Sequence, residues 1–353
     1  MKLSTTFGLL FIALLFVDTI WCKKKKHSKR FNPNEGFGNP LGNSRVLLAR
    51  SSAFEAGGGI GNELFAVMST LGVARKLRRR PVFALRAPYF NGVSESSLWT
   101  IASYFPQLVP AHMIDNQNIY NNKTFWKEGN DDLGISPCCK YVEPTKALRD
   151  NKKKVARFNG GYLQSYKYFY PYRRELNQKL LTNAPAFTKM SEALVPKSVL
   201  QPGQQRICIH TKRGSFLGNY HQATTKKFLD RTVEHFRNPK AQIILFGDDV
   251  HWLKDQLPAL RRKFQRITIA DKEGIPDVAT WFFFRKHCHK VVLSASSSTS
   301  GWWAAYFAQM QRPGVQVFYN KKFAKSQDYL NQKEDKDYFL PGWKPLDFEN
   351  GDD

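Results

Sequence analysis

The second half of the chain alternates between short apolar runs and longer stretches in which apolar residues recur every three or four positions. The runs have the length of buried strands, and the stretches between them have helical periodicity. Strands and helices that alternate at this spacing predict an α/β fold, with a parallel sheet covered by helices on both faces. The predicted strands are 206–210, 242–246, 267–270, 290–293 and 315–319, and the predicted helices are 224–236, 250–257, 277–286 and 302–310.

The first half begins with a similar unit. An apolar run at 46–49 predicts a strand, a glycine-rich loop follows, and apolar periodicity as far as Leu77 predicts a helix capped by Asn62. A second strand is predicted at 81–85, whereas 86–150 has no clear period and is assigned to loops and short helices. Proline and glycine residues between 185 and 203 indicate a linker. A chain of 353 residues is expected to form two domains, here 45–200 and 201–345.

The N-terminal residues predict entry into the secretory pathway. Residues 1–22 hold one apolar run, 7–17, which is short for a membrane-spanning helix and typical of a signal peptide. The lysines at 23–26 oppose the orientation that a membrane anchor needs, so a cleaved signal is expected and an uncleaved Golgi anchor is the alternative. Residues 23–44 are predicted to be a basic flexible arm. A glycosylation sequon at Asn122 is consistent with this compartment.

The charge of the chain indicates polyanionic partners without selecting one. Its 54 Lys and Arg residues against 29 Asp and Glu residues give a formal net charge of +25, which attracts polyanions of any kind. The sequence has no zinc-finger spacing, no RNP aromatic motif and no recognisable helix-turn-helix. Nothing besides charge therefore favours nucleic acid as a partner. No spacing of Cys and His suits a metal site either.

Four cysteines remain once the predicted signal is removed, and they allow three disulfide pairings. Cys208 falls within a predicted buried strand, where a free thiol packed as a small hydrophobic side chain is the expectation. A bridge from Cys138 or Cys139 to Cys288 is the open alternative.

Polar clusters follow three of the predicted strands of the second half. The first contains His210, Lys212 and Arg213, the second is Gly247-Asp248-Asp249, and the third is the serine-rich stretch 294–300. Because ligands of open α/β sheets bind at the carboxyl ends of strands, the three clusters are expected to meet in one crevice. Solvated charges at strand ends are the alternative interpretation.

The chemistry of these clusters suits a nucleoside diphosphate. Lysine and arginine form the strong, charge-assisted hydrogen bonds to phosphate. The serine-rich stretch, at the start of a predicted helix, offers hydroxyls and backbone N–H groups to an anion. Asp248 or Asp249 would accept hydrogen bonds from a guanine or from ribose hydroxyls. A metal at these two carboxylates is the less favoured alternative.

The glycine-rich loop of the first half is a second candidate anion site. Consecutive glycines, with Gly59 and Gly61 among them, let backbone amides approach a ligand, and the helix that follows presents its positive end. The spacing is not a complete dinucleotide fingerprint, and a tight turn is the alternative.

Three of these stretches together resemble the α1,2-fucosyltransferases of glycosyltransferase family 11, most closely a divergent nematode branch. Residues 58–65 are similar to the family's G-G-x-G-N-Q-x-F, residues 210–216 to H-x-R-R-G-D-F/Y, and residues 296–303 to S-x-S-T-F-x-W-W. Each motif alone is weak, but their order and spacing agree across residues ~55 to ~320, nearly the whole predicted folded part.

The resemblance implies a GT-B-like architecture, with two Rossmann-like domains and a cleft between them. It implies that the C-terminal domain holds GDP-fucose and that the N-terminal domain faces the acceptor. The implied reaction is inverting transfer of fucose to a galactoside hydroxyl of a glycan, in an α1,2 linkage, without metal or other cofactor. The implied location is the Golgi lumen or Golgi membrane, with secretion as the alternative.

The resemblance also implies roles for individual residues. Lys212 would neutralise the leaving diphosphate, with Arg213 beside it, which is electrostatic stabilisation of a developing charge. The residues implied to bind GDP-fucose are His210, Asn62, Gly59, Gly61, Asp248, Ser298 and Thr299.

The chain departs from the family motifs at three positions. Lys212 replaces an arginine and loses its bidentate fork, Ser215 replaces an aspartate, and Glu63 replaces a glutamine. Glu63 is a candidate general base for the acceptor hydroxyl, although a glutamate near a helix N-terminus is favourable in any case. The altered motif leaves a second hypothesis, a weakened or inactive secreted homologue that binds glycans or polyanions.

Overall fold

The computed structural model describes residues 45–49, 52–55, 59–84, 95–115, 131–132, 138–147, 155–157 and 161–349. The predicted signal, the basic arm and the sequon at Asn122 lie outside these ranges. The described residues belong to one compact unit, 41–353, and the predicted division into two domains stays a prediction.

The first sheet has five parallel strands in the order β3-β2-β1-β5-β4. Its register places Leu47 of the central strand beside Pro81 and Ala156. The strands are β1 (Val46–Leu48), β2 (Arg80–Ala84), β3 (Ile114–Asp115), β4 (Asp131–Asp132) and β5 (Val155–Arg157), and the helices are α1 (Ser52–Glu55), α2 (Gly59–Lys76), α3 (Glu95–Tyr104) and α4 (Pro144–Ala147).

Helix α2 confirms the helix predicted after the glycine-rich loop, and it begins at Gly59 rather than after Asn62. Its apolar residues are buried over almost its whole length, because it packs between the first sheet and the rest of the molecule. Arg75 and Lys76 lie at its negative end. The helix ends where Arg78 adopts a positive φ of 53°, the left-handed conformation that commonly terminates helices.

The segment predicted as a linker is largely helical. Short 3-10 turns at Tyr166–Tyr168 and Tyr170–Tyr172 lead into α5 (Arg173–Leu180) and α6 (Ala184–Ser191). Phe187 of α6 stacks on Phe282, with ring centroids 5.4 Å apart. Pro185 and Pro196 therefore mark the starts of short helices, where a missing N–H costs nothing, and the segment packs against the second half of the chain.

The second sheet confirms the predicted alternation. It has six parallel strands in the order β11-β10-β9-β6-β7-β8. The strands are β6 (Gln205–His210), β7 (Ala241–Phe246), β8 (Ile267–Ile269), β9 (Lys290–Leu293), β10 (Gln316–Asn320) and β11 (Lys344–Leu346), and the helices are α7 (Lys226–Phe236), α8 (Val250–Lys263), α9 (Asp277–His287), α10 (Thr299–Gln311), α11 (Gln327–Leu330) and α12 (Asp335–Tyr338).

The strand order places a topological switch point in each sheet. Counted from β6 along the chain, the second sheet has the doubly wound order 3-2-1-4-5-6, and its order reverses between β6 and β9. The first sheet reverses in the same way between β1 and β5. Both halves are thus Rossmann-like, which confirms the predicted α/β, GT-B-like fold class.

An aromatic core joins the two halves. The ring of Phe65 from α2 lies 4.5 Å from Trp302 and 4.9 Å from Trp303 of α10, and all three side chains are fully buried. Trp281 of α9 belongs to the same core. Because closely packed interiors resist deformation, the elements on either side of this core are held in a fixed relation.

Two disulfides are present among the described cysteines. Cys208 on β6 pairs with Cys288 just after α9, with Cα atoms 5.7 Å apart, and Cys138 pairs with its neighbour Cys139. The expectation of a free thiol at Cys208 is therefore wrong, as is the alternative of a bridge from Cys138 or Cys139 to Cys288. Burial of Cys208 was predicted correctly, but burial alone does not reveal that a second cysteine lies opposite.

In the part of the chain that the structure describes, no helix combines the length and the apolar character needed to cross a membrane.

Candidate active site

A cleft of about 260 Å³ lies where the switch points of the two sheets face each other. The loop after β1 and the start of α2 contribute Gly59 and Asn62, and the segment after β5 contributes Gln164. From the second half, Lys212 follows β6 and Ser298 follows β9. Of the first polar cluster only Lys212 lines the cleft, whereas residues 297–300 of the third cluster line it together.

The N-termini of α2 and α10 meet at the floor of this cleft. A Cβ atom on Gly61 would lie 2.6 Å from Thr299 Oγ1 and 2.9 Å from the backbone nitrogen of Ser300. The indole N–H of Trp303 donates to the carbonyl of Gly61 at 2.9 Å. Gly61 thus lets two helices approach each other, a use that the sequence did not indicate.

These two helix ends create an anion site. The first turn of a helix leaves N–H groups without partners in the helix, at the positive end of its dipole. Neither α2 nor α10 has an acidic residue in its first turn, so the positive ends are uncompensated. Ser298 precedes α10 without making a capping hydrogen bond, and both Ser298 and Thr299 line the cleft as predicted.

Lys212 is a cation held at the edge of the cleft. Its Nζ lies 2.7 Å from Asp248 Oδ2, and Asp248 Oδ1 accepts the backbone N–H of Arg213 at 2.9 Å. Burial would raise the pKa of Asp248, but the hydrogen bonds from Lys212 and from Arg213 hold it below its ordinary value. Glycine is needed at 214, because a side chain there would collide with the Asp248 carboxylate.

Arg213 points away from the cleft. Its guanidinium donates from Nη1 to the carbonyl of Thr224 at 2.8 Å and lies 4.1 Å from the ring of Trp252. Its Nε is 3.3 Å from Asp249, which caps α8. The structure therefore does not place Arg213 where the predicted contact with a diphosphate requires it, because its contacts with Thr224, Trp252 and Asp249 hold the side chain elsewhere.

His210 is buried behind the start of α10. A Cβ atom on Gly301 would lie 2.7 Å from His210 Nδ1, and this nitrogen has no hydrogen-bond partner within the described residues. Burial lowers the pKa of His210 to about 3, with a smaller contribution from Lys272, so the imidazole is neutral at physiological pH. His210 is not part of the cleft lining, in contrast to its predicted contact with the nucleotide.

Glu63 also lies in the interior. Its side chain is on α2, only 6% of the residue is exposed, and it does not line the cleft. Burial raises the pKa of Glu63, partly offset by a hydrogen bond with Ser97. The structure thus contradicts the placement that a general base for an acceptor hydroxyl needs. The glutamate lies on the helix face that packs against α3, which periodicity alone did not distinguish from the cleft face.

An imidazole and a carboxylate that the sequence analysis did not select also line the cleft, those of His221 and Asp277. The His221 ring stacks on Phe216 at 4.2 Å, and its Nδ1 lies 3.0 Å from Ser297 Oγ. Burial, with help from the charge of Lys325, lowers the pKa of His221 to about 4. His221 lies in a loop without periodicity, so no sequence signal marked it.

Asp277 is the first residue of α9 and lines a second cavity as well as the cleft. Its carboxylate lies 2.6 Å from Lys272 Nζ. Burial would raise the pKa of Asp277, but Lys272 lowers it below the ordinary value. Besides the cleft, Asp277 lines a side cavity of about 720 Å³ at the ends of β7 and β8. Asp248, His251 and Lys254 line the same side cavity, so the second polar cluster opens there rather than into the cleft.

A hydrogen bond from Gln164 positions the Asn62 side chain at the cleft. Gln164 Nε2 donates to Asn62 Oδ1 at 2.8 Å, and the sulfurs of Cys138 and Cys139 lie 3.7 Å and 3.6 Å from Gln164 Oε1. Asn62 therefore reaches the cleft from the first half of the chain, as predicted, and lines it together with Gly59 and Gly61.

No group of three or more His, Cys, Asp or Glu side chains suited to a metal ion occurs within the ranges that the structure describes. Asp248 and Asp249 are each engaged with a neighbouring cation, Lys212 and Arg213 respectively. The predicted absence of a metal stays a prediction.

Comparison with known proteins places this geometry in context. The sequence model of the family described as "Glycosyl transferase family 11" matches residues 146–347. A galactoside 2-alpha-L-fucosyltransferase of Caenorhabditis elegans is 27% identical over 293 residues, which are 82% of this chain and 77% of that protein. A second C. elegans protein of that name is 24% identical and covers 92% of this chain and 81% of its own length.

Among solved structures, the fucosyltransferase NodZ from Bradyrhizobium superposes with a TM-score of 0.40 and 14% sequence identity. The superposition covers 74% of this chain and 92% of NodZ. A likeness at this level carries no argument about the site.

Proposed function

The chain belongs to glycosyl transferase family 11, and we propose that it transfers fucose from GDP-fucose to a galactoside hydroxyl of a glycan, forming an α1,2 linkage. The sugar and the linkage are those in the names of the C. elegans relatives. The observation that carries the proposal is the pairing of Lys212 with the uncompensated N-terminus of α10 in one cleft.

This pairing suits a diphosphate leaving group. When the bond between the sugar and the diphosphate breaks, negative charge develops on the phosphate oxygens. A lysine ammonium and helix N–H groups already in position stabilise that charge without reorganising. Lys212 is available in this role because Asp248 holds it at the cleft edge, with its side chain 29% exposed.

The nucleoside has space in the side cavity. That cavity lies at the ends of β7 and β8, next to the cleft at the switch point and at the carboxyl edge where open α/β sheets bind ligands. Asp277 lines both the side cavity and the cleft, so one ligand can extend from one space into the other. The carboxylates of Asp248 and Asp277 offer acceptors to ribose hydroxyls or to a guanine.

The proposed step is a single displacement with inversion. The acceptor oxygen forms a bond to the anomeric carbon of fucose, the bond from that carbon to the diphosphate breaks, and GDP leaves with the bonding electrons. The acceptor proton passes to His221, which lines the cleft in its neutral form. When Nδ1 donates to Ser297, the lone pair of the imidazole is on Nε2 and can accept this proton.

Lys212 and the helix ends would stabilise the negative charge of the leaving diphosphate, as a divalent cation does in other enzymes. This supports a reaction without metal. Two disulfides support a location in the secretory pathway, because such bonds persist in oxidising compartments. We place the enzyme in the Golgi lumen, at the Golgi membrane or outside the cell.

The test is release of GDP from GDP-fucose by the purified protein, with and without a galactoside and in the presence of EDTA. We expect acceptor-dependent release that survives EDTA. Lys212→Ala is expected to lower kcat by about 10²- to 10³-fold, as for loss of one preorganised charge-stabilising group. Lys212→Arg, which keeps the charge, is the matched control and is expected to retain most of the rate.

Other outcomes separate the alternatives. Binding of GDP without turnover across a panel of galactosides would favour an inactive homologue, which binds its ligands but does not catalyse transfer. No binding of GDP would contradict the assignment of the cleft. Turnover that EDTA abolishes would remove metal independence from the proposal and leave the rest intact.

A further inference from the structure

A further cavity of about 310 Å³ adjoins the cleft. Tyr162, Tyr220 and Tyr329 line both spaces, so the two share an aromatic wall. The remaining lining of this cavity, called here the tyrosine cavity, consists of Cys138, Gly161 and the polar residues Ser326, Asp328 and Gln332. Ser326, Asp328 and Gln332 do not line the cleft.

Tyr220 is exposed and yet fixed in position. About 47% of its surface faces solvent, while its ring lies 4.6 Å from Tyr329 and 4.5 Å from His221. The backbone N–H of Lys325 donates to the carbonyl of Tyr220 at 2.8 Å. The Lys325 ammonium bonds to the carbonyls of Phe216, Leu217 and Asn219 in the same loop, at 3.3 to 3.4 Å.

An aromatic ring that is held still while partly open to water is suited to ligand contact. Such a ring loses little conformational freedom when a ligand binds, and the ligand buries apolar area of the ring that water covered before. The flanking Tyr329 is supported in turn, because Cys138 Sγ lies 3.3 Å from its hydroxyl.

The side chains that line the tyrosine cavity suit an uncharged ligand with several hydroxyl groups. Carboxylate and amide groups, here Asp328 and Gln332, bind hydroxyls, and aromatic faces contact the apolar faces of a sugar ring. Neither Lys nor Arg occurs among the described residues that line this cavity. A phosphate would therefore be repelled by Asp328, whereas it is attracted to Lys212 in the cleft.

We propose that the tyrosine cavity binds the acceptor glycan at the sugar next to the reacting galactose, with Tyr220 stacked on that sugar. The proposal rests on the proposed function, which puts the reacting galactose in the adjoining cleft beside His221. It places acceptor recognition on the loop 217–221 and on 326–332 of the second half, not on the first half alone.

The test compares a one-sugar and a two-sugar acceptor, methyl β-galactoside and lactose. In the wild-type protein we expect kcat/KM to be higher for lactose. In Tyr220→Ala the ratio of the two kcat/KM values is expected to fall about tenfold, the loss expected for one aromatic contact. Tyr220→Phe keeps the ring and should keep the ratio. Leu217→Ala is the matched control, since Leu217 is 52% exposed in the same loop and lines neither space.

An unchanged ratio in Tyr220→Ala, or equal kcat/KM values for the two acceptors in the wild type, would overturn the proposal. Saturation-transfer NMR with lactose gives a readout that needs no turnover. Suppose that the wild type binds lactose without turning it over, while Tyr220→Ala does not bind it. That result would support glycan binding in the tyrosine cavity and contradict the proposed function. If neither turnover nor lactose binding is observed, both fail.

Discussion

At the scale of single residues, His221 is the group to which we assign the acceptor proton, in place of Glu63. It lines the cleft between the donor-side Lys212 and the acceptor-side Tyr220, whereas Glu63 is buried in α2. Its environment keeps it neutral, because burial among Phe216, Tyr220 and Tyr329 disfavours the imidazolium.

We expect His221→Phe to lower kcat by about 10²- to 10⁴-fold, the range for loss of general-base catalysis, with little change in the KM for GDP-fucose. Phenylalanine keeps the stack on Phe216, so packing is controlled. In the wild type, kcat should hold constant as pH falls and decline only near the pKa of His221, about 4. A variant with full kcat, or a decline centred on the ordinary histidine value of 6.5, would contradict the role of His221.

The free energy of unfolding must be measured at the same pH values as kcat. The folded-state pKa values of His210 and His221 lie below their ordinary 6.5, so the unfolded chain binds more protons than the folded one below that pH. Stability is therefore unaffected by these groups above pH 6.5 and falls as pH decreases towards about 3, the folded-state pKa of His210. A stability measurement at each pH separates this loss from a loss of catalysis.

At the scale of elements, the cleft depends on the contact between the N-termini of α2 and α10. Gly61 permits this contact, and its nearest neighbours there include backbone atoms of α10, which cannot move aside as a flexible side chain can. Gly301 serves the same purpose between α10 and His210 on β6.

Gly61→Ala is expected to lower the free energy of unfolding by about 1 to 2 kcal/mol, the net of overpacking and the higher helix propensity of alanine. It should also raise the KM for GDP-fucose, because the two helix ends move apart. Chemical denaturation and donor kinetics measure the two effects. Gly314→Ala is the matched control, because a Cβ there meets nothing within 4 Å. Equal stability and equal KM in both variants would show that the helix contact is not needed.

At the scale of the whole molecule, the Cys208–Cys288 disulfide ties the central strand of the second sheet to α9, across 80 residues. Cross-linking a long loop restricts the unfolded chain, with a typical stabilisation of 2 to 4 kcal/mol. The neighbouring pair Cys138–Cys139 closes no such loop.

Replacing both Cys208 and Cys288 by alanine is expected to lower the free energy of unfolding by about 2 to 4 kcal/mol, measured by urea denaturation. Replacing both Cys138 and Cys139 is the control and should cost less. The loop-closure explanation fails if the two double variants unfold at the same urea concentration.

The sequence by itself determined the order of β6 to β10 with the helices between them, and the fold class. Apolar runs and helical periodicity are local signals, so 206–210 and 302–310 were recognisable as a strand and a helix without knowledge of their neighbours. The motifs around Lys212, Ser298 and Asn62 were likewise local, and all three residues line the cleft. The helical character of 185–203 was missed because prolines that start helices resemble prolines that break them.

Only the tertiary structure decided which way side chains face and which distant groups meet. Glu63 and Arg213 have the right chemistry in the right motifs, but packing turns Glu63 inward and the ion pair with Asp249 holds Arg213 away from the cleft. The contact of Gly61 with α10, the pairing of Cys208 with Cys288 and the shared wall of tyrosines each join residues far apart in the chain. Such contacts depend on how elements pack in three dimensions, and no periodicity along one segment encodes them.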